Sequence, residues 1–230
     1  MTLRGCFVTG TDTGAGKTVL SAALCAAMRA EGVPVAAFKP VATGIGGPPE
    51  GDWPADHELL AQVTGASPAD VCARTFEPPV SPHLAAQLAG TTIDVDDLVA
   101  AGSAAAARAD VLVVEGVGGL LAPLSLEHSV RDLAVRLGLP LVIAARPGLG
   151  TINHALLTIE AARAADLDVR AVVLTPWPRE PEVIHRSNLE TIAQLGAVEV
   201  VTLAHVACVV EQLAQAGATL PWRAWLAAGA

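Results

Sequence analysis

Short apolar runs rich in valine alternate along this chain with alanine-rich stretches of helical length. Parallel strands that are covered by helices on both faces produce this pattern. It predicts strands over residues 5–8, 35–38, 111–115, 141–145, 169–174 and 198–203. The predicted helices cover residues 17–30, 55–64, 82–88, 95–109, 130–137, 152–165 and 187–195, and a last helix follows His205. The fold class is therefore α/β, a doubly wound, mostly parallel sheet flanked by helices.

Composition and charge set limits on this picture. A chain of 230 residues that is 52% hydrophobic can bury one sizeable core, so we expect a single domain over residues 1–230. No apolar stretch approaches the roughly 20 residues of a membrane-spanning helix, and the N-terminus has no secretory pattern. We therefore expect a cytoplasmic protein with no membrane partner. A net charge of -9 without any basic run also predicts no nucleic-acid partner.

The clearest chemical pattern is a phosphate loop directly after the first predicted strand. Residues 10–18 read Gly-Thr-Asp-Thr-Gly-Ala-Gly-Lys-Thr and run straight into an alanine-rich helix. In such a loop the backbone N–H groups and the helix N-terminus receive phosphate oxygens, Lys17 reaches the outer phosphates, and Thr18 can bind Mg²⁺. The usual spacing counted back from Gly16 ends on Thr11, so this is a variant loop. The alternative is a glycine-rich turn without a ligand, but the Gly-Lys-Thr triplet in this setting favours nucleotide binding.

A carboxylate and a second lysine complete the local chemistry. Glu115 ends a run of four apolar residues, at the end of a predicted strand where open parallel sheets collect their ligands. It is a candidate Mg²⁺ ligand, and the alternative is a solvated strand end. The chain has 14 cationic side chains, and only Lys17 and Lys39 are lysines. Codon bias accounts for the scarcity, but a compact ammonium group is what a tight phosphate site requires.

Four segments are specific when taken together and in this order. They are Gly-Thr-Asp-Thr-x-x-Gly-Lys-Thr from Gly10, Lys-Pro-Val-Ala-Thr-Gly from Lys39, Val-Glu-Gly-x-Gly-Gly from Val114, and Leu-Gly-Thr-Ile-Asn-His from Leu149. With these segments the chain closely resembles the dethiobiotin synthetases of the P-loop NTPase superfamily. The resemblance implies an ATP-dependent cyclo-ligase of biotin biosynthesis that converts 7,8-diaminononanoate and CO₂ to dethiobiotin.

The reaction implied by the resemblance needs no protein nucleophile. One amine of the substrate forms a carbamate with CO₂, the γ-phosphoryl group of ATP is transferred to that carbamate, and the second amine closes the ring and expels phosphate. Catalysis then rests on positioning and on neutralising charge at the phosphoryl group. The residues implied as catalytic are Lys17, Lys39 and Thr13.

The resemblance also assigns a nucleotide site and a magnesium site. The nucleotide-binding residues are Asp12, Thr13, Gly14, Ala15, Gly16, Lys17, Thr18, Val19, Asp56, Glu115, Gly116, Val117, Gly118, Thr175 and Pro176. The implied cofactor is Mg²⁺, and its ligands are Thr18, Asp56 and Glu115. The alternative for Asp56 is an ordinary helix N-cap, and nearby Asp52 is a rival ligand.

The implied substrate site draws on two copies of the chain. Its residues are Thr43, Gly118, Gly119, Leu149, Gly150, Thr151 and Asn153. In the family, the segment that begins at Leu149 meets the substrate carboxylate from the neighbouring subunit, at a helix N-terminus whose free N–H groups suit an anion. The resemblance therefore implies a homodimer with composite sites. The alternative for Asn153 is a helix cap, and His154 is assigned a structural role.

The chain also departs from its relatives at two positions. Thr175-Pro176 stands where many relatives carry an Asn-Asp pair that recognises adenine, and proline has no N–H to donate. We therefore expect other nucleoside triphosphates to be accepted. Gly14 stands where relatives can carry an acidic residue.

Two rival functions stay open. One is an amide-forming synthase of the cobyrinic acid diamide type, which normally carries a glutaminase domain for which this chain leaves no room. The other is a partition-type switch ATPase, whose loop has an additional lysine near its start where this chain has Thr11 and Asp12.

Overall fold

A computed structural model describes residues 3–46 and 53–226. Its strands are β1 (Gly5–Gly10), β2 (Val35–Phe38), β3 (Ala42–Thr43), β4 (Thr75–Phe76), β5 (Val111–Gly119), β6 (Leu141–Ala145), β7 (Val169–Trp177) and β8 (Glu199–Ala204). Six of them form one sheet in the order β2-β5-β1-β6-β7-β8, and every neighbouring pair in it is parallel. β3 and β4 form a separate pair. The predicted fold class is confirmed.

Helices cover both faces of this sheet. They are α1 (Lys17–Ala30), α2 (Asp56–Thr64), α3 (Pro68–Val71), α4 (Pro82–Leu88), α5 (Val95–Ala106), α6 (Val130–Leu137), α7 (Thr151–Arg163), α8 (Val183–Gly196), α9 (Val210–Ala218) and α10 (Trp222–Trp225). In the described part of the chain, none of these helices has the length and apolar character needed to cross a membrane.

Each face of the sheet carries its own apolar core, because alternate side chains of a strand point to opposite sides. Along β1, Cys6 and Val8 join the core built with α1, α2, α9 and α10. Phe7 joins the second core, built with α5, α6, α7 and α8. All three side chains are fully buried. This two-sided packing fixes the sheet, and with it the edge where the strands end.

The helices of the first core approach one another closely. Gly217 lies in α9 against α1, and a Cβ atom added to it would lie 2.0 Å from the carbonyl oxygen of Ala23. Trp222 and Trp225 in α10 are buried in the same core, and the indole N–H of Trp225 donates to Glu199 at 2.8 Å. The close approach at Gly217 brings α9 against α1, and the Trp225 bond attaches α10 to the start of β8.

Most predicted elements are present, and the differences have local causes. α5 ends at Ala106 instead of residue 109, because the chain tightens there and the Arg108 N–H bonds to the Ala105 carbonyl. α8 begins at Val183 instead of residue 187, where the Glu182 N–H donates to Nδ1 of His185. The short elements β3, β4, α3 and α10 were not predicted, since two to four residues carry no periodicity.

Candidate active site

A cavity of about 1350 Å³ opens at the carboxyl ends of β1, β2 and β5. In an open parallel sheet this edge is where ligands bind. The phosphate loop, the start of α2, the glycines at the end of β5 and one side of α7 form its walls. The cavity therefore joins segments that are far apart in the sequence.

The phosphate loop has the backbone that its glycines predict. Gly14 and Gly16 have φ angles of +69° and +90°, a region that favours glycine. α1 begins directly after Gly16 without a side-chain cap, so its first-turn N–H groups suit an anion. The ammonium group of Lys17 is 3.1 Å from the Asp12 carbonyl oxygen and lies over the loop. The arrangement is that of a phosphate-binding loop.

The second lysine is held at the centre of a buried ionic cluster. Phe38 pairs with Val114 across β2 and β5, which places Lys39 beside Glu115 at the ends of the two strands. Nζ of Lys39 lies 2.5 Å from Glu115 Oε1, 2.6 Å from Asp56 Oδ2 and 3.3 Å from the Gly116 carbonyl oxygen. The side chains of Lys39 and Glu115 are 2% and 0% exposed. Sheet register thus positions the cluster.

The pKa values of the cluster follow from burial and from the opposed charges. Burial alone would lower the pKa of Lys39, but the Glu115 and Asp56 carboxylates outweigh it and raise the pKa, so the ammonium form is retained. Burial raises the pKa of Glu115, against the effect of Lys39. Burial works in the same direction on Asp56, but there Lys39 and the Thr18 hydroxyl prevail and lower the pKa to about 2.

Lys17 differs from Lys39 because, among the described residues, no carboxylate forms an ion pair with it. Burial, followed by the charge of Lys39, lowers the pKa of Lys17 to about 8. Its side chain is nearly enclosed, with 6% of the residue exposed. A phosphate group beside it would supply the negative charge that this ammonium group lacks.

Three oxygen-bearing side chains converge where the phosphate loop meets this cluster. The Thr18 hydroxyl is 2.8 Å from Asp56 Oδ1 and 2.9 Å from Glu115 Oε1. Within residues 3–46 and 53–226, Oε2 of Glu115 is buried without a hydrogen-bond partner, and no group of three His, Cys, Asp or Glu side chains suits a metal. Two carboxylates and a hydroxyl fit Mg²⁺, which keeps waters and shares substrate phosphates. The rival ligand Asp52 lies outside the described residues.

Most residues singled out in the sequence lie on the cavity wall. They are Asp12, Thr13, Gly14, Gly16, Lys17, Thr18, Val19, Lys39, Thr43, Asp56, Val117, Gly118 and Gly119. Glu115 and Gly116 lie just behind it, in contact with Lys39. Ala15 is buried in the loop. The wall does not include Leu149, Gly150, Thr151, Asn153, Thr175 or Pro176.

Thr175 nevertheless contacts the phosphate loop from behind. Its side chain is 2% exposed, and a Cβ atom on Gly16 would lie 2.5 Å from its Cγ2. Pro176 is exposed at the end of β7. Neither residue offers a side-chain donor or acceptor to the described cavity, so their part in nucleotide binding stays a prediction.

One face of α7 forms a wall that the sequence analysis missed. It consists of His154, Leu157, Thr158 and Ala161. These residues follow the spacing i, i+3, i+4 and i+7 of a single helix face. His154, to which the sequence analysis gave a structural role, is thus exposed toward the cavity. The same spacing is typical of core packing, so it could not by itself have indicated a site.

Solved structures show the same fold with little sequence similarity. The chloroplast FtsY of Physcomitrella patens superposes with a TM-score of 0.55 at 15% identity, over 94% of this chain and 65% of that chain. The signal recognition particle receptor FtsY of Elizabethkingia anophelis gives a TM-score of 0.50 at 13% identity, over 93% of this chain and 65% of that chain. Likeness at this identity concerns the fold alone.

Sequence comparisons are more specific. A family model described as an AAA domain matches residues 4–215. The ATP-dependent dethiobiotin synthetase of Anaeromyxobacter sp. (strain Fw109-5) is 41% identical over 91% of this chain and 94% of its own length. The dethiobiotin synthetase of Ralstonia nicotianae is 47% identical over 70% of this chain and 72% of its own length. The one from Mycobacterium sp. (strain KMS) is 38% identical over 83% of each chain. The chain therefore belongs to the ATP-dependent dethiobiotin synthetase family, as its four sequence segments indicated.

Proposed function

We propose that this chain uses ATP and Mg²⁺ to carboxylate 7,8-diaminononanoate and to close its ureido ring, which yields dethiobiotin. The observation that carries the proposal is Lys39, a buried ammonium group that two carboxylates hold beside the phosphate loop. A simple ATPase needs one lysine at the outer phosphates. A second cation in the same cavity suits a reaction in which an anionic carbamate must meet a phosphoryl group.

The two lysines have different parts in this proposal. Lys17, on the loop, binds the outer phosphates of ATP. Lys39 stays charged because Glu115 and Asp56 raise its pKa, and it orients the carbamate toward the γ-phosphoryl group. Thr18, Asp56 and Glu115 would hold Mg²⁺, which when bound would screen the charge of the phosphates. Thr13 and Thr43 contribute hydroxyl groups from the cavity wall.

The cavity also has an apolar side that suits the methylene chain of the substrate. Ile45, Leu121 and Leu157 line it, with 39%, 57% and 56% of their surfaces exposed. Large apolar side chains left this open lose exposure when an aliphatic ligand packs on them. Their presence supports a substrate with a hydrocarbon chain over a purely polar one.

The test is phosphate release from ATP by the purified protein with bicarbonate, with and without 7,8-diaminononanoate and Mg²⁺, and with the product identified by mass. We expect release that requires both, with dethiobiotin as product. Lys17→Met should abolish release. A matched control is Arg163→Ala, which removes a cation that bonds to the Ala197 carbonyl away from the cavity.

Other outcomes of the test identify the rival functions. Phosphate release that ignores the diamine and yields no ring product would contradict the proposal. Stimulation by DNA would then favour a switch ATPase. Stimulation by a carboxylic acid together with ammonia would favour an amide-forming synthase.

We also propose that the active unit is a homodimer in which one chain completes the other's substrate site. Leu149 and Leu126 are each 94% exposed, which is unusual for large apolar side chains. Leu149 lies just before α7, and neither Leu149 nor Thr151 is part of the cavity wall of its own chain. Mixing inactive Lys17→Met with inactive Thr151→Tyr should restore up to roughly a quarter of the activity, because random pairing leaves one intact site in mixed dimers. No recovery in confirmed mixed dimers would exclude composite sites.

A further inference from the structure

Arg146 reaches the phosphate loop from the strand on its other side. It follows β6 directly, and its Nη2 donates to the carbonyl oxygen of Thr13 at 2.7 Å. The same nitrogen would lie 3.3 Å from a Cβ atom on Gly14. The guanidinium group therefore lies against the Thr13–Gly14 part of the loop.

The direction of this bond matters for phosphate binding. In a phosphate loop the N–H groups turn toward the phosphates, so the carbonyl groups are free for bonds to the surrounding protein. Arg146 uses such a carbonyl, and it does not line the cavity itself. The Thr11 N–H donates to the Ala144 carbonyl at 3.0 Å. The end of β6 thus holds the first half of the loop at two points.

The backbone at Arg146 is itself fixed. Asn188 in α8 is 6% exposed, and its side-chain amide donates to the carbonyls of Pro147 at 2.9 Å and Gly148 at 3.1 Å. On the other side, Ala145 pairs with Leu174 in the sheet. The backbone that carries the Arg146 side chain is therefore held in place, so less conformational freedom is lost when the side chain bonds to the loop.

We propose that Arg146 is a positioning residue for ATP, which acts through the Thr13 carbonyl by holding the phosphate loop ready for the phosphates. The proposal rests on ATP use alone and not on the identity of the second substrate. A loop that is already ordered loses less conformational freedom when the nucleotide binds, so Arg146 should act on the affinity for ATP. The chemical step should depend on Arg146 only weakly.

The experiment measures binding of Mg²⁺ with adenylyl imidodiphosphate by calorimetry, without diamine. Arg146→Ala should raise the Kd roughly tenfold, which corresponds to about 1.4 kcal/mol. Arg146→Lys keeps a charged donor and should stay within about threefold of the wild type. In the full reaction, KM for ATP should rise in Arg146→Ala while kcat at saturating ATP changes less than about threefold.

Arg163→Ala is the matched control. Arg163 makes the same kind of bond, from Nη2 to the Ala197 carbonyl at 3.0 Å, but it lies at the C-terminal end of α7 and outside the cavity wall. The Kd of the Arg163→Ala variant for Mg²⁺ with adenylyl imidodiphosphate should equal the wild-type value. Equal Kd values for Arg146→Ala and Arg163→Ala would overturn the proposal. So would a loss of kcat at unchanged Kd, because Arg146 would then act in the chemical step. Calorimetry reads nucleotide binding alone, so failure of the proposed ring closure would show separately, as missing dethiobiotin.

Discussion

Replacing Lys39 by methionine removes a buried charge while it keeps most of the side-chain volume. In the folded protein, Glu115 would then lose the ammonium group 2.5 Å away and remain fully buried. Breaking one side of a buried ion pair destabilises a protein by about 3–5 kcal/mol, chiefly through the charge left behind. Asp56, which is 45% exposed, can instead turn to water. The destabilisation therefore comes from Glu115.

The expected destabilisation of Lys39→Met lies at the lower end of the range for a broken buried ion pair. The Thr18 hydroxyl lies 2.9 Å from Glu115 Oε1 and can donate its single proton to Glu115 once Asp56 turns to water, and the raised pKa of Glu115 favours uptake of a proton by the carboxylate. We expect Lys39→Met to lower the free energy of unfolding by about 3 kcal/mol. For a protein of this size that is a fall in Tm of about 6–12 °C. The fold survives, and ring closure is lost.

The double variant Lys39→Met, Glu115→Gln separates stability from chemistry. It removes both charges, so urea unfolding at pH 7 should show recovery of about half or more of the lost free energy. Activity should stay absent, because the second cation is still missing. A single variant as stable as the wild type, or a double variant no more stable than the single one, would show that the unpaired Glu115 charge is not the source of the destabilisation.

The pH dependence of the single variant gives an independent check. Removing Lys39 takes away a charge that lowers the pKa of Glu115, so burial should raise this pKa further above its unfolded value than in the wild type. Between the unfolded and the folded pKa, the folded variant then binds more protons than its unfolded state. Stability relative to the wild type should therefore improve as pH falls from 7 toward 5 and worsen as pH rises. A stability difference that does not change with pH would show that Glu115 is not the unpaired group.

Three further predictions concern other parts of the chain. Because the pKa of Lys17 is lowered to about 8, its ammonium group loses its charge above that pH. We therefore expect kcat/KM for ATP, measured in a series of three overlapping buffers, to fall about tenfold per pH unit above pH 8. A pH profile that stays flat up to about 9.5 would contradict this prediction. A Gly→Ala change normally stabilises a helix by up to about 1 kcal/mol. In Gly217→Ala, however, the new Cβ atom would clash with the Ala23 carbonyl, so we expect urea unfolding to show a destabilisation of more than about 1 kcal/mol. Since Pro176 offers no N–H, kcat/KM for CTP, GTP and UTP should lie within roughly tenfold of that for ATP; a preference above a hundredfold would show that other groups read the base.

The phosphate loop and the ends of the long strands could be predicted because their signals are local. Glycine at positions 14 and 16 anticipates the positive φ angles that the loop adopts. Lys39 and Glu115 were each identified at the end of a predicted strand. Their contact could not be predicted in the same way, since it depends on β2 and β5 being neighbours in register. Strand order is set by packing of the whole chain and not by any local pattern.

The short elements and the ends of some helices could not be predicted from the sequence, for a related reason. β3 and β4 have two residues each, and they pair across a gap of more than thirty residues. Their existence depends on what surrounds them, not on alternation of polar and apolar positions. The reach of Arg146 to the Thr13 carbonyl is similar, because a bond between residues 133 positions apart leaves no mark in the sequence.

α7 shows how sequence and structure constrain each other. The resemblance assigned substrate binding to its first turn, where Thr151 is 5% exposed and, among the described residues, its hydroxyl has no hydrogen-bond partner. In the folded chain a different set of residues, from His154 to Ala161, faces the cavity. Gly150, Thr151 and Asn153, at the N-terminal end of α7, do not line this cavity. In the homodimer that we propose, Thr151 would bind the substrate carboxylate in the cavity of the second copy, and a single α7 would serve two active sites.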